Sequence, residues 1–352
     1  MAYTNIDDPS AYFQTKTYTG NGSNGYAITN DGNSDLQPDL WWVKNRDKTY
    51  DHNLYDSTRG TSLRLVSNST TAEATATDRI ASFDTNGFTL NGSVISNENN
   101  NPHVAWQWKA NGGTTSSNTD GTLTGGATVQ ANTDAGFSII TYTGTSQTNP
   151  TVGHGLNQAP ELVIVKNRDL ARNWAVGSTA VGWTKYLELD TTDAEATNSG
   201  WWGNQDPTST TVGLGTASQT AGNTYDYVMY AFHSVQGYSK FGKYVGNGNA
   251  DGPFVYTGFK PAFVMIKNID NSAGQWYMYD NKRDESNVME QALQAQGSNA
   301  EITTSNKLDF VSNGIKHRGS NVTTNQSGST HIYMAFAENP FVTSTGIPTT
   351  AR

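Results

Sequence analysis

Three carboxylates in the second half of the chain have a spacing that suits acid and base chemistry. Glu188 and Asp190 are two residues apart, and Asp193 follows within the same short segment. Alternate residues of a β-strand project to the same face of a sheet, so these carboxylates could act together. The segment is therefore the strongest candidate for a catalytic site.

This segment is similar to the Glu-x-Asp-x-(x)-Glu strand of jelly-roll β-glucanases, in which such carboxylates act as nucleophile and as acid/base. The resemblance implies polysaccharide cleavage with those roles for Glu188, Asp190 and Asp193. It ends in an aspartate where that family has a glutamate, which shortens the reach of the acid. The chain carries no Gly-x-Ser-x-Gly, phosphate-binding glycine loop or His-Glu-x-x-His signature. We therefore expect a protein that is not an enzyme, with polysaccharide cleavage as the minor alternative.

A second group of candidates is aromatic. Trp201 and Trp202 are adjacent and flanked by Gly, Asn and Asp, which suggests a turn that carries two large rings, and Trp183 lies nearby in sequence. Exposed rings can stack on a sugar face, and an aromatic-rich contact with another subunit would look the same. Core packing is the third interpretation, and the sequence leaves all three open.

A short Lys-Asn-Arg-Asp corner is the third candidate, because its charges could bind an anionic sugar. The simpler interpretation is a turn in which Asn and Asp hydrogen-bond the backbone while the charged groups stay solvated. The motif occurs three times with one substitution, at Lys44, Asn45 and Asp47, at Lys166, Asn167 and Asp169, and at Lys267, Asn268 and Asp270.

No cofactor is predicted. The chain has no cysteine, which excludes disulfides and thiolate metal sites. Two polar turns, 31–35 and 247–251, offer oxygen atoms to Ca²⁺, but neither has a full ligand set and polar hairpin turns have the same composition. We therefore predict no metal site and keep Ca²⁺ as an alternative.

Composition narrows the class of partner. The net charge of −9 and the isoelectric point near 5.1 disfavour nucleic acid and anionic membranes. No stretch approaches the length of a membrane span, and the N-terminus lacks the features of a secretory signal. Abundant Gly, Thr, Tyr and Trp with few charges favour short strands joined by polar turns.

The elements that must position these candidates belong to an internal repeat. Each Lys-Asn pair ends an apolar run that opens with Pro38, Pro160 or Pro261. A Tyr-x-Gly motif precedes each run and an aromatic segment follows it, both at nearly constant spacing. The runs do not alternate between polar and apolar residues, which predicts a strand buried on both faces. The one helix-like window, 285–296, is short.

The sequence therefore predicts an all-β protein of three tandem antiparallel β-sandwich domains of the jelly-roll, concanavalin-like type. Repeats 2 and 3 should pack rigidly, because few residues separate them. The predicted segments are an N-terminal tail 1–10, repeat 1 at 11–110, a flexible or extended Gly/Ser/Thr/Asn linker 111–134, repeat 2 at 135–237, repeat 3 at 238–342 and a C-terminal tail 343–352.

The Pro-x-apolar-Lys-Asn-Arg-Asp strand, the Tyr-Thr-Gly-Asn-Gly-Ser opening at 18–23 and the Val-Ala-Trp-x-Trp-Lys-Ala close at 104–110 resemble a family of repeat-domain proteins from tailed phages of marine bacteria. The resemblance covers nearly the whole chain. It implies lectin-type jelly-roll repeats and a virion protein, often a tail fibre or adhesin component, without assigned catalytic residues. Repeat 3 departs from the motif at Ile269, where the other copies have Arg.

The expected function is a non-enzymatic virion protein made in the host cytoplasm, associated with the tail and contributing to host attachment. Capsid surface decoration is the alternative. Three sandwiches strung along the chain would contact other virion proteins, form a homo-oligomer and present a face to a host-surface glycan, with no nucleic-acid partner and no membrane insertion. This expectation is based on one observation: the three copies share their strand pattern, but no reactive group is common to all of them.

Overall fold

The computed structural model describes residues 4–350 and is almost entirely β, with every strand pairing between named strands antiparallel. The all-β prediction is confirmed. Residues 1–3 of the predicted N-terminal tail and 351–352 of the C-terminal tail lie outside the described residues. A short 3₁₀ turn, Pro9–Ala11, precedes the first strand and is capped by Asp8.

Repeat 1 folds into a six-stranded sheet and a three-stranded sheet, with one short helix before the closing strand. Tight turns and Gly, Asn and Asp residues separate its strands. The elements are β1 Phe13–Thr19, β2 Tyr26–Thr29, β3 Leu40–Asn45, β4 Asn53–Asp56, β5 Gly60–Leu65, β6 Ala74–Thr75, β7 Ile80–Asp84, β8 Gly87–Leu90, α1 Val94–Asn97 and β9 Pro102–Trp108.

The segment 111–134 contains β10 Ser116–Asn118 and β11 Ala127–Asn132. These strands pair with each other, and β11 pairs with the first strand of repeat 2. Much of this segment is therefore extended, as one of the two expectations had it, but it belongs to the sheet of repeat 2 and is not a flexible linker. Ala127 and Val129 alternate with polar residues and are buried in the core of repeat 2, so a short apolar alternation within a polar tract was the signal for a strand.

Repeat 2 adds its own strands to β10 and β11 to form an eight-stranded sheet, with a separate two-stranded sheet. Its elements are β12 Phe137–Thr143, β13 Thr151–Gly153, β14 Leu162–Asn167, β15 Ala175–Ser178, β16 Lys185–Glu188, β17 Ala196–Thr197, α2 Ser199–Trp202, β18 Thr211–Gly213 and β19 Asp226–Phe232.

Repeat 3 forms one continuous eight-stranded sheet. The window 285–296 is not helical, because Met289, Ala292 and Leu293 are buried in a strand of this sheet. The elements of repeat 3 are β20 Ser239–Val245, β21 Phe254–Tyr256, β22 Phe259–Asn268, β23 Trp276–Asp280, β24 Met289–Gln294, β25 Ile302–Val311, β26 Gly314–His317, α3 Val322–Asn325 and β27 Thr330–Pro340.

The three repeats share one strand order. The opening strand pairs with the closing strand, the closing strand pairs with the Lys-Asn strand, and two further strands follow, as in β1-β9-β3-β4-β5, β12-β19-β14-β15-β16 and β20-β27-β22-β23-β24. The register is also shared, since Trp106, Tyr230 and Met334 occupy the same place between the two neighbouring strands.

Each Lys-Asn strand is buried on both faces, as its apolar run predicted. All six residues of β14 are buried. Val163 and Val165 point into the core of repeat 2, while Leu162 and Ile164 point to the opposite face and join a second core. The strands β3 and β22 divide their side chains in the same way.

The second core is shared by all three repeats. It collects the outer faces of the three large sheets and is rich in aromatic rings. Phe336 of repeat 3 packs with its ring centroid 5.0 Å from Phe13, 5.6 Å from Trp108 and 6.1 Å from Phe232. Because rings from every repeat meet at one residue, the three copies close around a common centre. The expectation of sandwiches strung along the chain is wrong.

The Tyr-x-Gly motif has the same structural role in each repeat. The hydroxyls of Tyr18, Tyr142 and Tyr244 donate to the carbonyl oxygens of Ser96, Thr220 and Thr324 at 2.7, 2.6 and 2.5 Å, respectively. A Cβ on the glycine two residues later would collide with a backbone carbonyl oxygen of the segment before the closing strand. The glycine is therefore required by this close approach of two backbones.

Candidate functional site

Trp183, Trp201 and Trp202 are core residues. Their exposed fractions are 4%, 3% and 0%. Trp201 lies on α2 and stacks on Tyr186 at 3.7 Å, while Trp183 meets Trp202 edge to face at 5.5 Å. The interpretation as a glycan or partner contact is corrected, because the Asn198 cap and the left-handed Gly203 close a helical turn that directs both rings inward.

The three carboxylates lie at the end of β16 and in the turn after it. Asp190 accepts from the backbone N–H of Trp174 at 2.9 Å and from the amide of Asn173 at 3.3 Å, so it holds this turn together. Asp193 is exposed. Burial, followed by the charges of Asp190 and Asp193, raises the pKa of Glu188 to about 7. The protonation state of Glu188 therefore changes near neutral pH.

The Lys-Asn corner is a turn, as its simpler interpretation predicted. Asn45 accepts from the backbone N–H groups of Asp47 and Lys48, at 3.0 and 3.1 Å. Asn167 does the same, and Asn268 accepts from Asp270. The carboxylates of Asp169 and Asp270 accept from the backbone of the closing strand, at 2.6 Å each.

The lysines of this motif are buried, which corrects the expectation that the charges stay solvated. Lys44, Lys166 and Lys267 have no exposed surface. Desolvation lowers the pKa of each to about 8, although nearby acidic groups favour the charged form. A buried ammonium group needs hydrogen-bond acceptors, and each of the three finds backbone carbonyls.

Two of these lysines take acceptors from the preceding repeat. Lys166 donates to the carbonyl of Thr70 at 2.8 Å, and Lys267 donates to that of Thr192 at 2.9 Å. Two indoles cross the same boundaries, since Trp174 donates to Val66 and Trp276 donates to Glu188, at 2.8 and 2.9 Å. The Lys-Asn corner is thus part of the joint between repeats.

Three glutamates, one from each repeat, form backbone hydrogen bonds that connect the repeats in a closed cycle. The backbone N–H of Glu73 in repeat 1 donates to Arg168 in repeat 2, that of Glu195 in repeat 2 donates to Ile269 in repeat 3, and that of Glu301 in repeat 3 donates to Arg46 in repeat 1, at 2.8, 2.8 and 2.6 Å. Every acceptor is the third residue of the Lys-Asn motif. The three repeats therefore form a ring within one chain, with the same contact used at each joint.

Ion pairs reinforce two of the three joints. Glu301 bridges Arg46 of repeat 1, at 2.6 Å, and Arg283 of its own repeat, at 2.9 Å. Glu73 bridges Arg168 and Arg59 in the same manner, at 2.8 and 2.6 Å. The third joint has Ile269 in place of arginine, so Glu195 pairs instead with Lys185 of its own repeat. This is the physical consequence of the one substitution in the motif.

The arginines Arg59 and Arg283 of these bridges also form buried ion pairs with aspartates of their own repeats. Asp56 pairs with Arg59 at 2.6 Å, and Asp280 pairs with Arg283 at 2.5 Å, with almost no exposed surface on any of the four side chains. Each aspartate also accepts a hydrogen bond from a side chain of another repeat. Asp56 accepts from the Tyr230 hydroxyl at 2.7 Å, and Asp280 accepts from the Trp106 indole at 3.0 Å.

The bridging glutamates are the functional residues that sequence reasoning missed. The available signal was a further repeated motif, Glu-Ala-Thr at 73–75 and 195–197 and Glu-Ile-Thr at 301–303. The lysine, asparagine and aspartate positions of the corner were identified from sequence, but Lys166 and Lys267 each take one acceptor from another repeat, which spacing could not indicate.

Neither candidate Ca²⁺ turn presents a free ligand set. Asp31 pairs with Lys16 and Lys282, and Asp251 pairs with Lys316. The side-chain oxygen of Asn247 accepts from Asn249 and Asn325. Within residues 4–350, no cluster of three or more His, Asp or Glu side chains could hold a metal ion. The same residues include no helix long and apolar enough to cross a membrane.

A comparison with models of protein families matches residues 8–340 to DUF7483, described as a domain of unknown function. The chain belongs to this family. The match spans all three repeats, so the DUF7483 unit corresponds to the complete ring. Comparisons with curated proteins and with solved structures found no match.

The ring joints of this DUF7483 protein predict strong coupling between Arg46 and Glu301. In a double-mutant cycle with Arg46→Ala and Glu301→Ala, we expect a coupling energy of about 1.5–3 kcal/mol, because the bond is charge-assisted and largely shielded from water. Denaturant unfolding of the four proteins measures it. The exposed pair Lys316 and Asp251, where Asp251 is 82% exposed, is the matched control and should show no measurable coupling. Equal coupling in both cycles would contradict the assignment.

The buried lysines predict an unusual alkaline dependence of stability. The pKa of Lys166 is about 8 in the folded chain, against its ordinary value of 10.5. Between these two pH values the unfolded chain binds more protons at Lys166 than the folded chain does. The contribution of Lys166 to the free energy of unfolding therefore increases as pH rises through this window. The free energy of unfolding of the wild type relative to Lys166→Met should increase by about 2 kcal/mol between about pH 7 and about pH 9.5.

Exposed Lys48 provides the control for this measurement. The difference between the wild type and Lys48→Met should stay constant over the same pH range. A wild-type advantage over Lys166→Met that stays flat or falls as pH increases would show that the ammonium is not desolvated.

Proposed function

We propose that this protein is a non-enzymatic structural component of a bacteriophage particle, associated with the tail and contributing to host attachment. The proposal includes the finer fold assignment of three tandem β-sandwich repeats of the jelly-roll, concanavalin-like type. It also includes synthesis in the host cytoplasm, assembly into the virion with other virion proteins, and homo-oligomer formation there. The sequence resemblance to repeat-domain phage proteins is its starting point.

One structural observation carries the proposal. The residues repeated in all three copies are used for packing and for the joints of the ring. The buried lysines, the corner asparagines and the bridging glutamates all have partners inside the protein. This is the pattern expected where the selected property is a rigid shape, because groups that react with a substrate must reach it.

Capsid surface decoration is the second candidate, and the closed ring favours it over an extended fibre. Three repeats around one core make a compact block, whereas a fibre shaft needs an elongated subunit. A block of this kind can also sit at the side or tip of a tail. The face presented to a host-surface glycan would then be an outer loop region, since the Trp201 and Trp202 rings are buried.

The location in the particle tests the proposal. We expect antibodies against the protein to label purified particles in immunogold electron microscopy, with gold on tails. Labelling confined to heads would overturn the tail assignment in favour of decoration, and absence of the protein from purified particles would overturn both. Release of reducing sugar from host-surface glycans by the wild type, lost in Glu188→Gln, would contradict the non-enzymatic role.

A further inference from the structure

The joint between repeats 1 and 2 contains an inserted strand. β11 lies along the outer edge of β12 and carries Gln130 opposite Ile139. The side-chain amide of Gln130 donates to the hydroxyls of Ser57 and Thr58 in repeat 1, at 2.9 and 2.8 Å. Its carbonyl oxygen accepts from the backbone N–H of Gly113 at 2.8 Å. This strand fills the space between the edge of one repeat and the loops of its neighbour.

Among residues 4–350, no such strand lies at the joint between repeats 3 and 1. Here β1 takes the place of β12, and within this range it pairs with β9 alone, which leaves its outer edge unpaired. Asn281 and Lys282 follow Asp280 as Ser57 and Thr58 follow Asp56. A groove of about 510 Å³ separates them from the edge of β1 and is lined by Phe13, Gln14 and Thr15 on the other side.

An unsatisfied polar group marks the floor of this groove. Thr15 is equivalent to Ile139, the residue that faces Gln130 in the filled joint. Thr15 is 4% exposed, and its hydroxyl has no hydrogen-bond partner in the part of the chain that the structure describes. A buried hydroxyl without a partner is unfavourable. A strand placed as β11 is would bring a side chain directly opposite it.

We propose that this groove binds an extended strand of a partner polypeptide by addition to the free edge of β1. The partner strand alternates small apolar and uncharged polar residues, as Ala-Thr-Val-Gln-Ala-Asn does at 127–132, and carries an amide side chain at the position of Gln130. The internal strand β11 is the model for this mode, since edge addition combines backbone hydrogen bonds with a specific side-chain contact. The inference does not depend on where in a particle the protein is placed.

We assign the occupant to another polypeptide, since the described segments of this chain that flank the repeats are engaged elsewhere. On the N-terminal side, the Thr4 hydroxyl donates to the carbonyl of Gln236 at 3.0 Å. Residues 341–349 turn back on repeat 3, with Thr349 donating to Phe341 and Phe341 donating to Gly258, at 2.9 and 3.2 Å. At the rim of the groove, Asp31 bridges Lys16 and Lys282. This bridge is half exposed and therefore easily rearranged when a strand enters.

The test uses the full chain and a fluorescent peptide with the sequence of residues 126–133. We expect saturable one-to-one binding by fluorescence anisotropy, and a loss of affinity of at least about fivefold when the glutamine of the peptide is replaced by alanine. Asn33→Trp places a large ring at the exposed lining of the groove and should weaken binding at least about tenfold. Asn99→Trp, at an exposed asparagine of repeat 1 that does not line the groove, should bind as the wild type does.

Three results would overturn the proposal. The first is no binding up to millimolar peptide, and the second is equal binding to the wild type and to Asn33→Trp. The third is self-association of the chain that Asn33→Trp abolishes, since the occupant would then be a second copy and not a partner strand. Circular dichroism of Asn33→Trp, with its spectrum unchanged from the wild type, separates blocking of the groove from loss of the fold.

Discussion

The double burial of the Lys-Asn strand is the constraint on which the structure depends. A sheet with one apolar face needs one covering layer, but β3, β14 and β22 are apolar on both faces. The smaller strands of each repeat cover one face, and the other two repeats cover the second. An isolated repeat would therefore expose the aromatic face that now forms the shared core. The ring is the arrangement that buries three such faces at once.

Polar groups give this hydrophobic core its specific geometry. Packing alone tolerates small rotations of one repeat against another, but a buried ammonium or carboxylate does not tolerate loss of its partners. Lys166 and Asp56 each take a partner from a neighbouring repeat. Rotations that break these contacts would leave buried groups unpaired and are therefore disfavoured. Repeat 2 has no counterpart of the Asp-Arg pair, and repeat 3 has Ile269 in place of arginine. The three joints therefore share the backbone contact but differ in their ion pairs.

The sequence predicted the repeat, its buried strand and the turn at each corner, because these depend on residues close together in the chain. It could not predict the burial of Lys44, Lys166 and Lys267, since the carbonyls that make burial tolerable belong partly to another repeat. A surface role for the paired tryptophans on α2 stayed open beside core packing because they lie among Gly, Asn and Asp, yet Asn198 and Gly203 build the caps of the helical turn that directs the rings inward. The segment 111–134 was misread because its composition is polar, although β11 follows a strand alternation.

Small-angle X-ray scattering of the full chain tests the closed ring most directly. A compact chain of 352 residues should have a radius of gyration of about 20 Å and a distance distribution with one maximum. This is the result the account predicts. A radius of gyration about half as large again as this compact value, roughly 30 Å or more, with several maxima from separate lobes, would contradict it.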